Sequence, residues 1–196
     1  KEVFKLPDFI AVMIEKQWLG SKSGQGFYKK GKGEKGRSEI LTLDLNTLEY
    51  RAKKRAQFDT LEKTKSIDDL AERYPILISG KDKASKFYRK NFGEMFAYIQ
   101  HRIPEISDEV YRIDDAMKAG FGWTHGPFEI WDVIGLETGI ELMKEAGHKV
   151  ADWVIVMAKG NNQNFYALED GSQSFYDVES KKMNAIPGQS SFIILD

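Results

Sequence analysis

The side chains that could carry chemistry in this chain are three histidines and two neighbouring aspartates. None of the histidines has a partner at metal-ligand spacing. His101 and His148 are predicted near helix ends, where an imidazolium complements the helix dipole. His125 falls inside a motif-rich segment, where we predict a structural role and keep a pocket-lining role as the alternative. Asp114 and Asp115 are adjacent, so they point to different helix faces and cannot form a paired acid and base.

A glycine-rich run from Gly31 to Gly36 formally matches the G-x-G-x-x-G pattern of dinucleotide-binding proteins. That pattern needs a strand before it and a helix after it, because the pyrophosphate binds free N–H groups at the helix N-terminus. Here a polar loop precedes the run, and residues 38–43, which have a strand pattern, follow it. We therefore predict a charged loop that binds no NAD.

Glu129 follows Pro127 in the first turn of a predicted helix. A carboxylate at that position satisfies free N–H groups and the helix dipole, which stabilises a helix by about 0.3–1 kcal/mol. We prefer this structural explanation to a catalytic role.

The composition is that of an ordinary soluble protein, and we expect it to be cytoplasmic. The 196 residues carry a net charge of −1, which predicts no general attraction to nucleic acid or to anionic membranes. The longest apolar candidate, residues 150–158, is far shorter than the roughly 20 residues of a membrane-spanning helix. The chain has no cysteine, so disulfides, cysteine nucleophiles and thiolate metal sites are excluded.

The elements that must position these residues are mainly helical. The segment 112–135 predicts one helix that stops at Gly120, a glycine-rich crossing, and a second helix opened by Pro127. A surface loop rarely carries so many large apolar side chains. We therefore predict a buried turn that brings five of them together: Phe121, Trp123, Phe128, Ile130 and Trp131.

The remaining pattern predicts further helices and two small β-hairpins. A capping-box-like start, Ser66 to Asp69, is predicted within the helical region that begins near residue 55. The predicted helices cover residues 7–19, 83–102, 137–146 and 150–159. The hairpins are predicted at residues 38–50 and at residues 165–178, the second turning at Asp170-Gly171.

The segment 112–135 also resembles the signature of the C-terminal helical domain of 3-hydroxyacyl-CoA dehydrogenases, roughly D-x-A-M-K-x-G-x-G-x-x-x-G-P-F-E-x-x-D-x-x-G. The matching residues are Asp115, Ala116, Met117, Lys118, Gly120, Gly122, Gly126, Pro127, Phe128, Glu129, Asp132 and Gly135. The resemblance implies a mainly α fold, like the C-terminal domain of 6-phosphogluconate dehydrogenase-type dehydrogenases, with small β-hairpins.

A second match, in residues 18–28, is similar to the G-x-K-[ST]-G-x-G-F-Y run that closes the same domain. Here the closing motif precedes the opening one, which two successive copies of the domain would explain. The predicted divisions are residues 1–36, the tail of the first copy; 37–80, a hairpin and helical connection; 81–178, the second copy; and 179–196, a linker to a downstream module. Both chain ends look cut, so we expect a piece of a longer, multifunctional enzyme.

The resemblance implies an NAD-dependent 3-hydroxyacyl-CoA dehydrogenase of fatty-acid β-oxidation that acts on acyl-CoA. In that family the catalytic residues and the NAD site belong to a Rossmann domain, which would precede Lys1, so no catalytic, cofactor or metal residue is expected here. The second copy would contact the first copy and the Rossmann domain, forming a pseudo-dimer. The residues expected at the substrate cleft or domain contact are Trp123, His125, Gly126, Pro127, Phe128 and Glu129.

Two other functions remain open from the sequence. One is a non-catalytic helical interaction module that kept the family core. The other is the helical domain of a dehydrogenase that acts on hydroxy acids without coenzyme A, against which the Gly-Pro-Phe-Glu context argues by analogy.

Overall fold

The computed structural model describes residues 5–32, 36–160, 162–169 and 171–188. It divides into two compact units, Lys1–Ala56 and Gln57–Asp196. The described residues are mainly helical with two small antiparallel sheets, which confirms the predicted fold class. No helix among them is both long and apolar enough to cross a bilayer.

The first unit pairs one helix with a three-stranded antiparallel sheet. Its elements are α1 (Asp8–Glu15), a 3₁₀ turn (Ser21–Ser23), β1 (Tyr28–Lys32), β2 (Ser38–Leu43) and β3 (Tyr50–Ala52). The strand order is β1-β2-β3, with Tyr28 opposite Thr42 and Leu43 opposite Tyr50. Residues 33–35, the centre of the glycine-rich run, lie outside the described residues.

Two predictions for this unit are corrected. The first helix ends at Glu15 rather than Leu19, because Gln17 adopts a left-handed backbone with φ of 57°. The glycine-rich run was predicted as a loop, but its first two residues, Gly31 and Lys32, belong to strand β1, because β2 supplies backbone partners along the whole length of β1. The predicted hairpin is therefore a three-stranded sheet.

The second unit holds seven helices and three strands within its described residues. The helices are α2 (Asp59–Thr64), α3 (Leu70–Ser79), α4 (Lys83–Gln100), α5 (Val110–Phe121), α6 (Pro127–Ile134), α7 (Leu136–Glu145) and α8 (Asp152–Lys159). The strands are β4 (Tyr166–Glu169), β5 (Ser172–Asp177) and β6 (Lys182–Ala185), in the order β4-β5-β6.

The starts of α2, α3 and α4 depend on aspartates. Asp69 is the N-cap of α3, and its side chain accepts a hydrogen bond from the Ala71 N–H, so the start predicted at Ser66 is wrong. Asp82 caps α4 through the Ser85 N–H and also accepts the Thr60 N–H of α2 at 2.9 Å. One carboxylate therefore satisfies free N–H groups of two helices.

The predicted linker from residue 179 is wrong for residues 182–185. These residues form β6, and Tyr176 of β5 lies opposite Met183. The pairing satisfies backbone groups that a linker would leave to water. Asp170, at the predicted hairpin turn, and residues 189–196 lie outside the described residues.

The core of the second unit forms where α4 packs against α6 and α7. Phe96 of α4 stacks on Trp131 of α6, with ring centroids 4.7 Å apart. Gly93 lets α4 approach α7 closely, because a Cβ there would overlap the backbone carbonyl of Leu142. Gly139 similarly leaves room for the indole of Trp131. Small residues at two crossings therefore set how near the helices come.

Replacing Gly93 by alanine tests this close approach. We expect Gly93→Ala to lower the free energy of unfolding by about 1–3 kcal/mol, because α4 and α7 must separate to fit one methyl group. The matched control is Gly120→Ala on α5, where a Cβ meets nothing within 4 Å. Gly120→Ala should be neutral or stabilising by up to about 1 kcal/mol. Urea unfolding measures both, and equal effects would contradict the packing argument.

Candidate functional site at the turn between α5 and α6

The signature segment forms a helix–turn–helix whose second helix is capped from the first. The α5 helix ends at Phe121, and Gly122 follows in a left-handed conformation with φ of 67°. Pro127 opens α6, as predicted, and needs no N–H partner there. Gly126 occupies the capping position of α6 and has no side chain with which to cap it.

Asp114 of α5 supplies the missing cap. It is only 1% exposed, and its two carboxylate oxygens accept hydrogen bonds from the N–H groups of Phe128 and Glu129, both at 2.9 Å. A Cβ on Gly126 would overlap Asp114, so only glycine lets the turn come this close to α5. The glycine of Gly-Pro-Phe-Glu and the buried aspartate therefore depend on each other.

Glu129 closes the other side of the same cap. Its carboxylate accepts the Gly126 N–H at 2.6 Å and pairs with the Lys118 ammonium at 2.7 Å. Lys118 also lies 3.4 Å from Asp115. These bonds fit the capping role that we predict for Glu129 from the sequence.

Two further contacts tie this turn to the second sheet. The Tyr166 hydroxyl of β4 donates to Asp114 at 2.8 Å. Asp132 of α6 accepts the N–H groups of Phe165 and Tyr166 at 2.6 and 2.9 Å. The buried carboxylate of Asp114 and the half-buried carboxylate of Asp132 thus connect α5, α6 and the start of β4.

Burial dominates the electrostatics of these carboxylates. It raises the pKa of Asp114 from 3.8 to about 7, although the N–H donors and the Tyr166 hydroxyl favour the charged form and lower it. Burial raises the pKa of Asp132 to about 7 in the same way, against the two N–H bonds from the start of β4. The pKa of Tyr166 is raised by burial and by the neighbouring Asp114.

The three histidines have separate surroundings. His125 Nδ1 lies 3.3 Å from the Tyr74 hydroxyl of α3, and the two rings meet edge to face. His148 pairs with Glu94 at 2.7 Å, and His101 ends α4. Over the described part of the chain, no three histidine or acidic side chains are grouped as metal ligands would be.

The predicted burial of all five apolar residues at the turn is wrong for two of them. Phe128, Ile130 and Trp131 are buried, whereas Phe121 is 74% exposed and Trp123 is 38% exposed. Asp114 and Lys118 are the residues of α5 that bond to α6; Phe121 is the last residue of α5, and Trp123 follows in the turn, so both lie beyond these bonds. Large apolar groups are consequently left at the surface.

Trp123 lies instead on the wall of an apolar groove, which we name the α4–α5 groove. Its volume is about 460 Å³, within the range of small-molecule sites. Helix α4, the segment after it, α5 and the turn all contribute walls, including Met95, Ile99, Ile113, Met117, Trp123 and Pro127.

The six residues that the sequence analysis expects at a cleft or domain contact therefore have different surroundings in the structure. Trp123 and Pro127 line the groove, Gly126 and Glu129 hold the turn, Phe128 is in the core, and His125 contacts Tyr74. Sequence reasoning missed the structural use of Asp114, Asp132 and Tyr166. The sequence did carry a signal for Asp114. In the pattern D-x-A-M-K one residue separates the aspartate from Ala-Met-Lys. That spacing places the aspartate of this chain at 114, not at Asp115, the residue matched to it in the sequence analysis.

Comparison with known proteins agrees with this geometry. Residues 84–178, from α4 to just past the end of β5, match the family model described as 3-hydroxyacyl-CoA dehydrogenase, C-terminal domain. These residues belong to that family. The part of the chain that matches the 3-hydroxyacyl-CoA dehydrogenase C-terminal domain thus includes the capped turn, with Asp114 and Asp132. No solved structure matches the chain.

Two curated relatives are similar to a larger part of the chain. A probable 3-hydroxyacyl-CoA dehydrogenase of Bacillus subtilis is 38% identical over 177 residues, which is 90% of this chain and 22% of that protein. A putative fatty acid oxidation complex trifunctional enzyme of Rickettsia felis is 27% identical over 68% of this chain and 17% of that protein. The chain spans about a fifth of the length of these relatives.

Replacing Asp114 by asparagine tests the shared cap. An amide offers one acceptor oxygen for three donors, so we expect Asp114→Asn to lower the free energy of unfolding by about 1–3 kcal/mol. The neighbouring Asp115→Asn is the control, because the Asp115 side chain is 64% exposed and should matter little. Equal effects of the two substitutions would contradict the capping role.

The pH dependence of that difference gives a second test. The pKa of Asp114 is raised in the folded chain, so the folded state keeps a proton that the unfolded state releases above pH 3.8. The stability contributed by Asp114 is therefore fully present below that pH and is lost as the pH approaches 7. The difference in free energy of unfolding between wild type and Asp114→Asn should shrink over that window. A difference that grows with pH would show that the N–H bonds lower the pKa of Asp114 more than burial raises it.

Proposed function

We propose that this chain is the helical support region of an NAD-dependent 3-hydroxyacyl-CoA dehydrogenase of fatty-acid β-oxidation. In this proposal a dinucleotide-binding domain outside residues 1–196 binds NAD and moves the hydride. The helical region borders the cleft that receives the acyl-CoA substrate. The names of the relatives support this assignment, since one is a probable 3-hydroxyacyl-CoA dehydrogenase and another a putative fatty acid oxidation enzyme.

One observation supports a scaffolding role above all others. Four charged side chains of the signature, Asp114, Lys118, Glu129 and Asp132, all hold backbone groups or each other. A group that is fixed in this way is suited to setting the angle between helices. We therefore assign the capped turn to orienting the domain rather than to transferring protons.

The proposal includes two successive copies of the helical domain, of which residues 1–56 contain the end of the first. A short internal repeat supports it. The α1 sequence Asp-Phe-Ile-Ala-Val-Met resembles the α8 sequence Asp-Trp-Val-Ile-Val-Met, and the methionines at the equivalent positions, Met13 and Met157, are both buried.

The strands that follow the two helices repeat as well. A Phe-Tyr pair stands at the start of each sheet, and its tyrosine is the first residue of the first strand, Tyr28 in β1 and Tyr166 in β4. Each sheet is a three-stranded antiparallel meander in sequence order. The equivalent order of helix, Phe-Tyr and meander supports a duplicated domain. In this proposal the two copies form an intramolecular pseudo-dimer.

Dehydrogenase assays test the assignment of roles. We expect the 196-residue chain to give no NADH-dependent reduction of acetoacetyl-CoA, because the hydride-transferring groups lie elsewhere in this proposal. The longer natural polypeptide that contains this sequence should reduce it. Comparable activity of the two proteins would refute the division of roles, and inactivity of the longer polypeptide would refute the enzyme assignment.

A substitution within the longer polypeptide tests the role of the capped turn. Glu129→Gln removes the charge that pairs with Lys118, so we expect lower thermal stability and a raised KM, with kcat changed by less than about tenfold. The control is Glu137→Gln, at an exposed position in the first turn of α7. A loss of kcat by about 10³-fold or more with unchanged stability would instead indicate a catalytic group.

A further inference from the structure

The two units contain equivalent aromatic pairs that have nearly the same geometry. The similarity of the α1 and α8 sequences places Phe9 at the position of Trp153. Phe9 meets Phe27 edge to face, with ring centroids 6.3 Å apart and an interplanar angle of 74°. Trp153 meets Phe165 in the same way, at 6.1 Å and 71°. The repeat therefore extends from the sequence into the packing of the side chains, and Phe27 is the counterpart of Phe165.

The aromatic pair of the second unit is covered by α6, whereas the pair of the first unit lies open. Phe165 is fully buried, and its ring centroid lies 5.0 Å from those of Phe128 and Trp131. Phe27 is 45% exposed, and among the described residues the ring of Phe9 is the one aromatic contact that it has. The first unit thus contains one side of an aromatic core, and a helix like α6 is the missing other side.

The tyrosine after each phenylalanine differs in the same respect. Tyr166 donates its hydroxyl to the buried Asp114 at 2.8 Å, and Asp132 accepts the N–H groups of Phe165 and Tyr166. The counterpart Tyr28 is 58% exposed. In the part of the chain that the structure describes, no side chain accepts the hydroxyl or the N–H group of Tyr28. The two carboxylates that organise the start of β4 are therefore lacking at the start of β1.

We name the open surface formed by Phe27 and Tyr28 the Phe27–Tyr28 face. The two residues border a groove of about 530 Å³, which Lys29 and Lys30 also line. Residues 1–56 contain thirteen lysines and arginines against seven aspartates and glutamates, a net charge of +6. Complementary charge selects between partners, so this unit favours a partner surface that carries carboxylates.

We propose that the Phe27–Tyr28 face binds a helix–turn–helix of the α5–α6 type, supplied by a part of the longer natural polypeptide outside residues 1–196. One aspartate of this partner, equivalent to Asp114, accepts the Tyr28 hydroxyl. A second, equivalent to Asp132, accepts the N–H groups of Phe27 and Tyr28. Aromatic side chains of its second helix cover the Phe27 ring. This inference rests on the duplicated domain of the proposed function and names the partner of the first copy.

Amide hydrogen exchange in the 196-residue chain and in the longer natural polypeptide tests the proposal. We expect the N–H groups of Phe27 and Tyr28 to exchange roughly 100-fold more slowly in the longer polypeptide, because a carboxylate then holds them in a covered site. The N–H groups of Phe165 and Tyr166 are the internal control, since Asp132 holds them within this chain, and they should exchange equally slowly in both proteins. Equal exchange of the Phe27 and Tyr28 groups in the two proteins would overturn the proposal.

Two matched substitutions, Tyr28→Phe and Tyr166→Phe, test the hydroxyl contact. In the longer polypeptide we expect each to speed the exchange of its neighbouring N–H groups by roughly tenfold, the size expected for one lost hydrogen bond to a carboxylate. In the 196-residue chain Tyr166→Phe should have the same effect, whereas Tyr28→Phe should have none. No effect of Tyr28→Phe in either protein, or the same effect in both, would refute the aspartate of the partner.

A second copy of this chain is the alternative occupant, although the α5–α6 pair of each copy already bonds to its own Tyr166. Sedimentation of the 196-residue chain distinguishes the two. We expect a monomer; a dimer that Phe27→Asp dissociates, and that the control Phe87→Asp at another exposed phenylalanine does not, would show a second copy on the face and refute the proposal. None of these experiments uses NADH. Protected amides in an inactive polypeptide would refute only the dehydrogenase assignment, and unprotected amides in an active one would refute only this inference.

Discussion

The capping of α6 by a side chain of α5 is the interaction on which the second unit depends. A helix that begins at Gly-Pro has no side chain at its first position, so its free N–H groups must find an acceptor elsewhere. Asp114 provides it from within the preceding helix, and it can do so only because Gly126 allows the two backbones to meet. The crossing of α5 and α6 is therefore fixed by two atoms of one carboxylate.

The same carboxylate also determines where the second sheet lies. Tyr166 donates to Asp114, and Asp132 accepts backbone N–H groups at the start of β4, so helices and sheet share one polar cluster around the buried Asp114. Such clusters favour a single arrangement when every member is satisfied. While one side of α5 holds this cluster, another side contributes Ile113 and Met117 to the α4–α5 groove.

The local sequence pattern was sufficient to predict the positions of most of the helices. The long helix α4, the opening of α6 at Pro127 and the helices α7 and α8 were predicted within a few residues, since their apolar spacing and their glycine and proline boundaries are local signals. Strand β6 was missed because a four-residue strand has little pattern of its own and exists through its pairing with β5. The exposure of Phe121 was missed because the hydrophobic character of a residue does not show where along a helix the packing against its neighbour ends.

The sequence by itself determined the fold class, the position of the turn and the resemblance to the dehydrogenase domain, because these depend on residue order and spacing. Only the tertiary structure decided which of Asp114 and Asp115 is buried, that Glu129 pairs with Lys118, and that Trp123 lines a groove. These features depend on side chains that are distant in sequence and meet only after the helices pack. Burial and hydrogen bonding arise from that meeting, so residue types alone do not specify them.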